Sequence, residues 1–291
     1  MNNKNPLFGS SETTRETPFN FDLFYKYGHA HHVSRIPESF LEWFIGFYEG
    51  DGSIYSSKTS YSKKRLSFQI SQKDKQFIER LRYTFGYGNV SHETRKTGIY
   101  WKWTLESKES IEKIAYLLYG NLVWPYRQDQ YIKWIQTGQQ QGLFNQISLQ
   151  HLVFISSDKL ISLQTAWLSG FIDAEGCFYA HLKEKNSIKT GKLTINLSQK
   201  FTLTQKLTTI NQPECIIFYQ ILDLFETKSK VYIFQNNVNN NFYGRIEIRT
   251  IQNQECLINY LQDYKLKTQK YIAYRRWWRV WLRRKDKIHL T

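Results

Sequence analysis

The spacing of apolar and polar positions predicts one folding unit that occurs twice. Apolar residues recur at helical spacing from about residue 39 to residue 52, and strict alternation follows over residues 65–71. The remaining elements of the first unit are a helix over 75–85, strands over 89–93 and 100–105, and closing helices. The second unit has a strand over 192–198, a helix over 216–225, and strands over 230–235 and 243–249. The pattern predicts an α+β fold of two α-β-β-α-β-β-α halves, whose antiparallel sheets each bury one face.

Residues that favour helix ends flank the first helix of each half. Ser39, followed three residues later by an acid, fits a capping box, and Ser162 or Thr165 is expected to cap the equivalent helix. Gly52 and Gly176 are expected to end these helices in the left-handed conformation.

The duplication is also visible in the residues themselves. The segment FIGFYEGDG at 44–52 matches LSGFIDAEG at 168–176, with every position offset by 124. FQISQK at 68–73 is matched with INLSQK at 195–200, and Phe85-Gly86 with Phe225-Glu226. This alignment places a longer loop around 201–213 in the second half and sets Arg127 against Lys267.

Composition divides the chain into four parts. The polar start, which contains three prolines and three histidines, is expected to be a mobile extension, and QTGQQQG at 136–142 is typical of a linker. The predicted parts are an extension over 1–37, a first repeat over 38–135, a linker over 136–161 and a second repeat over 162–291.

The charge of the chain favours a nucleic-acid partner. Its 291 residues include 40 Lys and Arg against 25 Asp and Glu, a formal net charge of +15, and 16% aromatic residues. Three scattered cysteines without a C-x-x-C pair exclude a disulfide scaffold and a zinc finger. No apolar run is long enough to span a membrane, and the first twenty residues lack the features of a secretory or transit peptide.

The repeated motif places small residues and acids at matching positions of two helices. Gly46 and Gly50, like Gly170 and Ala174, lie four residues apart, so each helix has a strip almost without side chains. If the strips pack together, Asp51 and Glu175 meet where the helix carbonyls also converge. Such a group of hard oxygen atoms needs a cation, and Mg²⁺ prefers such ligands. The pair is therefore a candidate metal site for phosphodiester hydrolysis, whereas Glu49 and Asp173 are expected to be structural.

These two motifs resemble the LAGLIDADG motifs of homing endonucleases in their single-chain, double-motif form. The resemblance covers about 38–290, with Phe44-Ile45 and Ser169 as mild departures from the motif. It implies two antiparallel sheets that form a saddle over DNA. It also implies Mg²⁺-dependent cleavage of both strands of a long, near-palindromic site, which leaves 3′ overhangs. We expect Mn²⁺ to substitute for Mg²⁺, and Ca²⁺ to support binding without cleavage.

The resemblance also implies roles for individual residues. Asp51 and Glu175 correspond to the metal-binding acids, and the carbonyls of Gly50 and Ala174 to further metal ligands. The polar pocket residues and the pocket bases correspond to Gln72, Gln199, Arg127 and Lys267.

Strand alternation then predicts which residues contact DNA in the major groove. In the first half these are Tyr55, Ser57, Thr59, Arg65, Ser67, Gln69, Ser71, Tyr100 and Lys102. In the second half they are Tyr179, His181, Lys183, Lys192, Thr194, Asn196, Ser198, Arg245, Glu247 and Arg249. A C-terminal helix, in which arginines alternate with Trp277, Trp278 and Trp281, is expected to pack through one face and to contact phosphates with the other.

Three functions remain open at this stage. The first is a site-specific DNA endonuclease; the second is an RNA-binding intron maturase, with intron RNA as a further partner; the third is a DNA-binding module without catalysis. Both acids are present, and a pure binder has no need of them, so cleavage is favoured. Two non-identical halves in one chain predict a monomer. No membrane partner is expected, because no apolar run is long enough to span a membrane. The abundance of Asn, Lys, Ile, Tyr and Phe fits an AT-rich organelle gene, with a mitochondrion favoured over a chloroplast.

Overall fold

The computed structural model of the protein describes residues 18–58, 64–144, 147–154, 161–186, 193–208, 214–237 and 240–286. The first half contains α1 (Glu38–Asp51), β1 (Gly52–Lys58), β2 (Lys64–Gln72), α2 (Lys75–Phe85), β3 (Asn89–Arg95), β4 (Gly98–Leu105), α3 (Lys108–Leu118) and α4 (Pro125–Gln139). The second half contains α5 (Trp167–Glu175), β5 (Gly176–Asn186), β6 (Leu193–Leu207), α6 (Glu214–Leu224), β7 (Tyr232–Gln235), β8 (Phe242–Ile248), α7 (Ile251–Asp263) and α8 (Lys270–Lys285). The predicted duplication is confirmed.

Each half contains one four-stranded antiparallel sheet. The strand orders are β1-β2-β4-β3 and β5-β6-β8-β7, so the two sheets have the same topology. Helices cover one face of each sheet, where Phe68, Ile70 and Trp103 of the first sheet are fully buried. We call the opposite face the open face; it carries Tyr55, Gln69 and Lys102 in the first sheet and Tyr179, Thr202 and Arg245 in the second.

Strand β6 is longer than the sequence predicts. The loop expected around 201–213 is wrong for residues 201–207, which continue the strand and pair with β8. Phe201, Leu203 and Leu207 are buried on the helix-covered face, because the alternation of apolar and polar residues runs on without a break.

Tertiary contacts replace the predicted helix caps. Helix α1 begins after Pro37, and neither it nor α5 has a side-chain cap at its N-terminus. Ser39 lies inside the first turn of α1, and the Glu42 carboxylate accepts a hydrogen bond from the Ala166 N–H of the other half, at 2.9 Å. The expected caps at Ser39, Ser162 and Thr165 are therefore wrong. At the start of α5, the buried Glu42 carboxylate of α1 takes the place of a cap from its own segment.

The glycines after α1 and α5 are not left-handed. Gly52 and Gly176 have φ of -83° and -75°, and both helices continue directly into strands. A Cβ at Gly52 would lie 2.7 Å from the Tyr48 carbonyl oxygen, and one at Gly176 would lie 2.7 Å from that of Ile172. Glycine is therefore required here by close packing, rather than by backbone conformation.

Residues on both sides of the first repeat pack against it. Phe19, Phe21 and Phe24 are buried, so residues 18–37 pack against the core of the first half instead of extending from it. The rest of the predicted extension, residues 1–17, lies outside the described residues. Phe144, in the predicted linker, is fully buried and its ring lies 5.1 Å from that of Trp134. Among the described residues, no helix has the length and apolarity needed to cross a membrane.

Candidate active site at the junction of the two halves

Helices α1 and α5 cross at their glycine strips. A Cβ placed on Gly46 would overlap the carbonyl oxygen of Trp167, and one placed on Gly170 would overlap that of Trp43. Gly50 lies against Ala174 in the same way. This contact brings the C-terminal ends of the two helices together, as the sequence predicts, because the small residues let the two backbones touch.

The acids Asp51 and Glu175 meet at these helix ends. Burial raises the pKa of Asp51 to about 6, although Lys270, Gln72 and Arg127 oppose the shift. Burial and the neighbouring Asp51 charge raise the pKa of Glu175 to about 7. Asp51 also accepts a hydrogen bond of 2.6 Å from the Gln72 amide. The described residues contain no group of three or more His, Cys, Asp or Glu that could hold a metal.

Two cations bind the carbonyls beside the acids. Arg127 donates from Nη2 to the Gly50 carbonyl at 3.3 Å and from Nε to the Glu49 carbonyl at 2.9 Å. Lys270 donates from Nζ to the Ala174 carbonyl at 2.8 Å. Burial lowers the pKa of Lys270, and the negative charges of Asp51 and Glu175 act against this shift. The cations thus balance part of the negative charge that gathers at the helix ends.

The second acid of each motif is structural, as its position predicts. Glu49 accepts hydrogen bonds from the N–H groups of Val123 and Trp124, and from the Trp167 indole at 2.6 Å. Asp173 likewise accepts from the Trp43 indole at 3.0 Å and from the N–H of Lys267. Glu49 therefore links the segment just before Arg127 to helix α5 of the second half. Asp173 likewise links the segment just before Lys270 to helix α1 of the first half.

Gln205, and not Gln199, lies at the position of the second sheet that corresponds to Gln72 of the first. In the first sheet Gly52 pairs with Ile70, two residues before Gln72; in the second sheet Gly176 pairs with Leu203, two residues before Gln205. Gln205 lies with Gly50, Arg127 and Glu175 in a cleft of about 580 Å³. Gln199 is buried away from this cleft and donates to the Trp277 carbonyl.

The error arose because the sequence contains two Ser/Thr-Gln-Lys segments in a row, at 198–200 and 204–206. Phe201-Thr-Leu-Thr-Gln-Lys206 matches FQISQK at 68–73 at least as well as the segment chosen. A match based on the buried Phe at the first position would have identified Gln205.

Lys270, and not Lys267, takes the place that corresponds to Arg127. The Lys267 ammonium lies over the rings of Phe40 and Trp43, at 5.9 and 5.8 Å, beside Ser39 at the start of α1. Asp51 lies eight residues beyond Trp43, which is about 12 Å along the axis of α1 at 1.5 Å per residue. Arg127 and Lys270 each lie 19 residues after the start of α3 or α7, but α7 begins 26 residues after Phe225, whereas α3 begins 23 residues after Phe85. The second half thus has three extra residues before α7, and an equal interval counted from Phe85 and Phe225 selects the wrong lysine.

Most predicted DNA contacts lie on the open faces. Tyr55 and Tyr179 are exposed, at 42% and 38%, and Ser57, Arg65 and His181 are exposed as well. Gln69, Tyr100, Lys102, Ser198 and Arg245 are partly exposed, and Arg249 is exposed beyond the end of β8. Arg65 pairs with Glu106, and Lys102 pairs with Glu93, so a DNA contact by either basic group has to compete with an acid.

Three predicted contacts are corrected by burial. Ser67 lies on the open face across from Tyr55 but is only 1% exposed, because its short side chain lies below its longer neighbours. The Ser71 hydroxyl is buried as well. Glu247 is 6% exposed and holds Lys200 and Arg249, so it orients two cations rather than presenting a free carboxylate.

Some predicted contacts fall outside what the structure describes. Thr59 and Lys192 lie outside the described residues. Lys183, Thr194 and Asn196 belong to the paired backbones of β5 and β6, but their side chains are outside the description. These contacts stay predictions.

The structure also adds residues to the second open face. A cleft of about 670 Å³ runs from Glu175 along this face, and its lining includes Lys200, Thr202, Thr204 and Tyr243, which the sequence analysis missed. Tyr243 has the parity of Arg245 in the predicted strand over 243–249, and Lys200 follows the predicted end of its strand. Thr202 and Thr204 were missed because residues around 201–213 were expected to form a longer loop. Their alternation with Phe201 and Leu203 was the pattern that could have placed them.

Comparisons of sequence relate the chain to known proteins. A protein-family model described as "LAGLIDADG endonuclease" matches residues 44–137 and again residues 168–281. A Neurospora crassa protein named "Probable intron-encoded endonuclease 4" is 29% identical over 254 residues, which cover 86% of this chain and 41% of that protein. The Saccharomyces cerevisiae "Intron-encoded RNA maturase bI4" is 24% identical over 212 residues, covering 69% of this chain and 30% of that protein. The chain thus spans less than half the length of these two relatives.

Solved structures that are 19% identical to this chain have a similar fold. The LAGLIDADG meganuclease I-AabMI bound to uncleaved DNA has a TM-score of 0.65 at 19% identity, covering 86% of this chain and 93% of that one. The homing endonuclease I-SmaMI bound to cleaved DNA also has a TM-score of 0.65 at 19% identity, covering 89% and 93%. Because the family model matches both halves and most of the chain, and includes both glycine-strip helices, the protein belongs to the LAGLIDADG endonuclease family.

Proposed function

We propose that the protein is a site-specific endonuclease that hydrolyses both strands of a long, near-palindromic DNA site and leaves 3′ overhangs. One observation carries the proposal: the partly buried acids Asp51 and Glu175 meet where the helix ends join the two sheets. The cleft on the second open face begins at Glu175, so a duplex on the open faces would bring its phosphates to the acids.

The donor atoms at this point fit a hard divalent cation. Asp51 and Glu175 would hold Mg²⁺ together with the carbonyl oxygens of Gly50 and Ala174, because carboxylate and carbonyl oxygens are ligands that Mg²⁺ accepts. When bound, the ion would neutralise the scissile phosphate and lower the pKa of the attacking water. Mn²⁺ would substitute for it, whereas Ca²⁺ would support binding without cleavage.

The surrounding side chains orient the acids and supply positive charge. The Gln72 amide, at 2.6 Å, fixes the Asp51 carboxylate. Gln205 lies beside Glu175 in the second half. Arg127 and Lys270 place cations next to the phosphate position, where they favour the extra negative charge of the transition state.

Recognition would be asymmetric, because the two open faces differ. Arg65 and Gln69 of the first sheet correspond by register to Ser198 and Thr202 of the second, so each half presents its own donors and acceptors to base edges. A monomer therefore suffices. Sedimentation of the DNA complex with two protein chains per duplex would contradict this.

The test is cleavage of a randomised duplex library with Mg²⁺, followed by sequencing of the ends. The proposal predicts cuts at one family of related sites, with 3′ overhangs, in the wild type but not in Asp51→Asn. Cuts without sequence preference, or an equally active Asp51→Asn, would overturn it. Intron-encoded relatives also support an organelle location, with a mitochondrion favoured.

A further inference from the structure

Arg245 lies on the open face of the second sheet, where two neighbours hold its guanidinium group. The Nε donates to the Thr204 hydroxyl of β6 at 3.0 Å, and the guanidinium lies 4.8 Å from the centre of the Phe234 ring of β7. The Phe234 ring stacks in turn on that of Tyr243, with their centres 5.8 Å apart. Because the Nε already has an acceptor, the terminal nitrogens Nη1 and Nη2 are the pair of donors that faces a ligand.

Three other arginines on or beside the open faces are neutralised by acids. Arg65, Arg95 and Arg249 each form an ion pair with a glutamate. In the part of the chain that the structure describes, Arg245 forms no ion pair, although it lines the cleft that runs from Glu175 along the second open face. A guanidinium that is oriented but not neutralised keeps its charge and its paired donors for an external acceptor.

The first sheet has a different pair of side chains at the same place. By register, Lys102 of β4 corresponds to Arg245, and Glu93 of β3 corresponds to Phe234. In the first sheet the acid pairs with the lysine, whereas in the second sheet the aromatic ring stacks on the arginine. The two halves thus share a cation at this position, and the second half leaves it without counter-charge.

We propose that Arg245 recognises one guanine in the second half of the DNA site, and that Thr204 and Phe234 are its positioning residues. Guanine presents two acceptors, O6 and N7, in the major groove, and two adjacent guanidinium donors match them. Strand β8 has a neighbour on each side, so Arg245 lies within the face that would enter the groove and not at an edge that would meet the phosphates.

The position of this guanine follows from the register. Thr204, which binds the Arg245 Nε, directly precedes Gln205 of the candidate active site. The guanine would therefore lie close to the cut and not at the outer end of the half-site. The inference rests on the proposed function, because it requires a duplex on the open faces.

The test is selection of duplexes from a randomised library by binding in Ca²⁺, with the wild type and Arg245→Gln. We expect the wild type to recover one family of sites with a guanine at one position near the centre. The variant should recover the same family but lose about tenfold in preference for that guanine, since a bidentate base contact discriminates at this level. Arg82→Gln is the matched control: it removes the same charge from a group on α2 that pairs with Glu79, and should keep every preference.

Modified bases test the contact atom by atom. At the position identified, 7-deazaguanine lacks the N7 acceptor, so it should weaken wild-type binding about fivefold and leave binding by Arg245→Gln unchanged. Inosine keeps O6 and N7 and lacks the amino group of the minor groove, so the wild type should bind it normally. Equal binding of guanine and 7-deazaguanine by the wild type would overturn the proposal.

Thr204→Val and Phe234→Leu test the positioning roles, because each leaves the arginine in place. Both should reduce the guanine preference without changing affinity for random-sequence duplex, a pattern that a loss of folding would not produce. Phe234→Glu introduces the acid that the first half has at this place, and should abolish the preference.

The selection also contains the results that would refute the inference. An unchanged guanine preference in Arg245→Gln would overturn it. Equally weaker binding to all sequences, with a salt slope shallower by about 0.9, would show a phosphate contact and would overturn it as well. A wild type that recovers no family of sites would contradict the proposed function itself, and this inference with it.

Discussion

Replacing Lys270 with Met should reduce cleavage far more than replacing Lys267. The Lys270 ammonium donates to the Ala174 carbonyl at 2.8 Å and to the Ile172 carbonyl at 3.2 Å. It also offsets the negative charges of Asp51 and Glu175. If Lys270 is removed, Arg127 is the cation that remains beside the helix ends, and the pKa values of Asp51 and Glu175 should rise further.

The size of the effect follows from the loss of one oriented cation. Removing one preorganised group that stabilises transition-state charge costs about 3–4 kcal/mol, which is a 10²- to 10³-fold slower cleavage. Lys267→Met removes a cation that lies over Phe40 and Trp43 at the other end of α1. We expect that variant to cut within about threefold of the wild-type rate, because interactions fall off over such distances.

Single-turnover cleavage of the duplex recovered from the library, at saturating Mg²⁺, measures the difference. Thermal melting of each variant separates loss of activity from loss of folding. Lys270→Arg keeps the charge and should recover part of the rate. The assignment is refuted if Lys270→Met cuts normally, or if a folded Lys267→Met is as slow as Lys270→Met.

Four further predictions follow from the same geometry. Asp51→Asn and Glu175→Gln should each abolish cleavage but leave DNA binding in Ca²⁺ nearly intact, as filter binding would show, because each removes a metal ligand and no base contact. Gln205→Ala should slow cleavage at least tenfold more than Gln199→Ala in folded protein, and the reverse order would disprove the register argument. Gly170→Ala should destabilise the protein by about 3 kcal/mol, or roughly 6–12 °C in Tm, because its Cβ meets backbone that cannot move aside. At limiting Mg²⁺ the cleavage rate should rise from about pH 5.5 to 7.5, since acids with pKa of about 6 and 7 must lose protons to bind metal; excess Mg²⁺ should move the rise to lower pH, and a flat profile would contradict it.

The sequence by itself determined the duplication, the two sheets and the acid pair. Glycines four apart and an acid before the next glycine have local geometric consequences, so Gly46, Gly170, Asp51 and Glu175 could be placed without a structure. Strand parity is likewise local, and it placed most open-face residues correctly. The predicted alignment of β6 is shifted by six residues. Because six is an even number, the residues of β6 that face the helices were still predicted correctly.

The tertiary structure decided which of several similar residues reaches the site. Gln199 and Gln205 have the same parity, and only the pairing of Gly176 with Leu203 separates them. Lys267 and Lys270 differ by three residues, and the three extra residues that precede α7 decide between them. Burial decided whether Ser67 can contact DNA: its side chain points to the open face as predicted, but it is 1% exposed.

The helix caps were decided in the same way. Local propensity favours Ser39, but the buried Glu42 carboxylate of one half binds the Ala166 N–H of the other. The physical reason is common to all these cases. Periodicity and backbone preference act over a few residues and can be recognised in the sequence, whereas register across a sheet and contacts between halves depend on residues far apart in the chain.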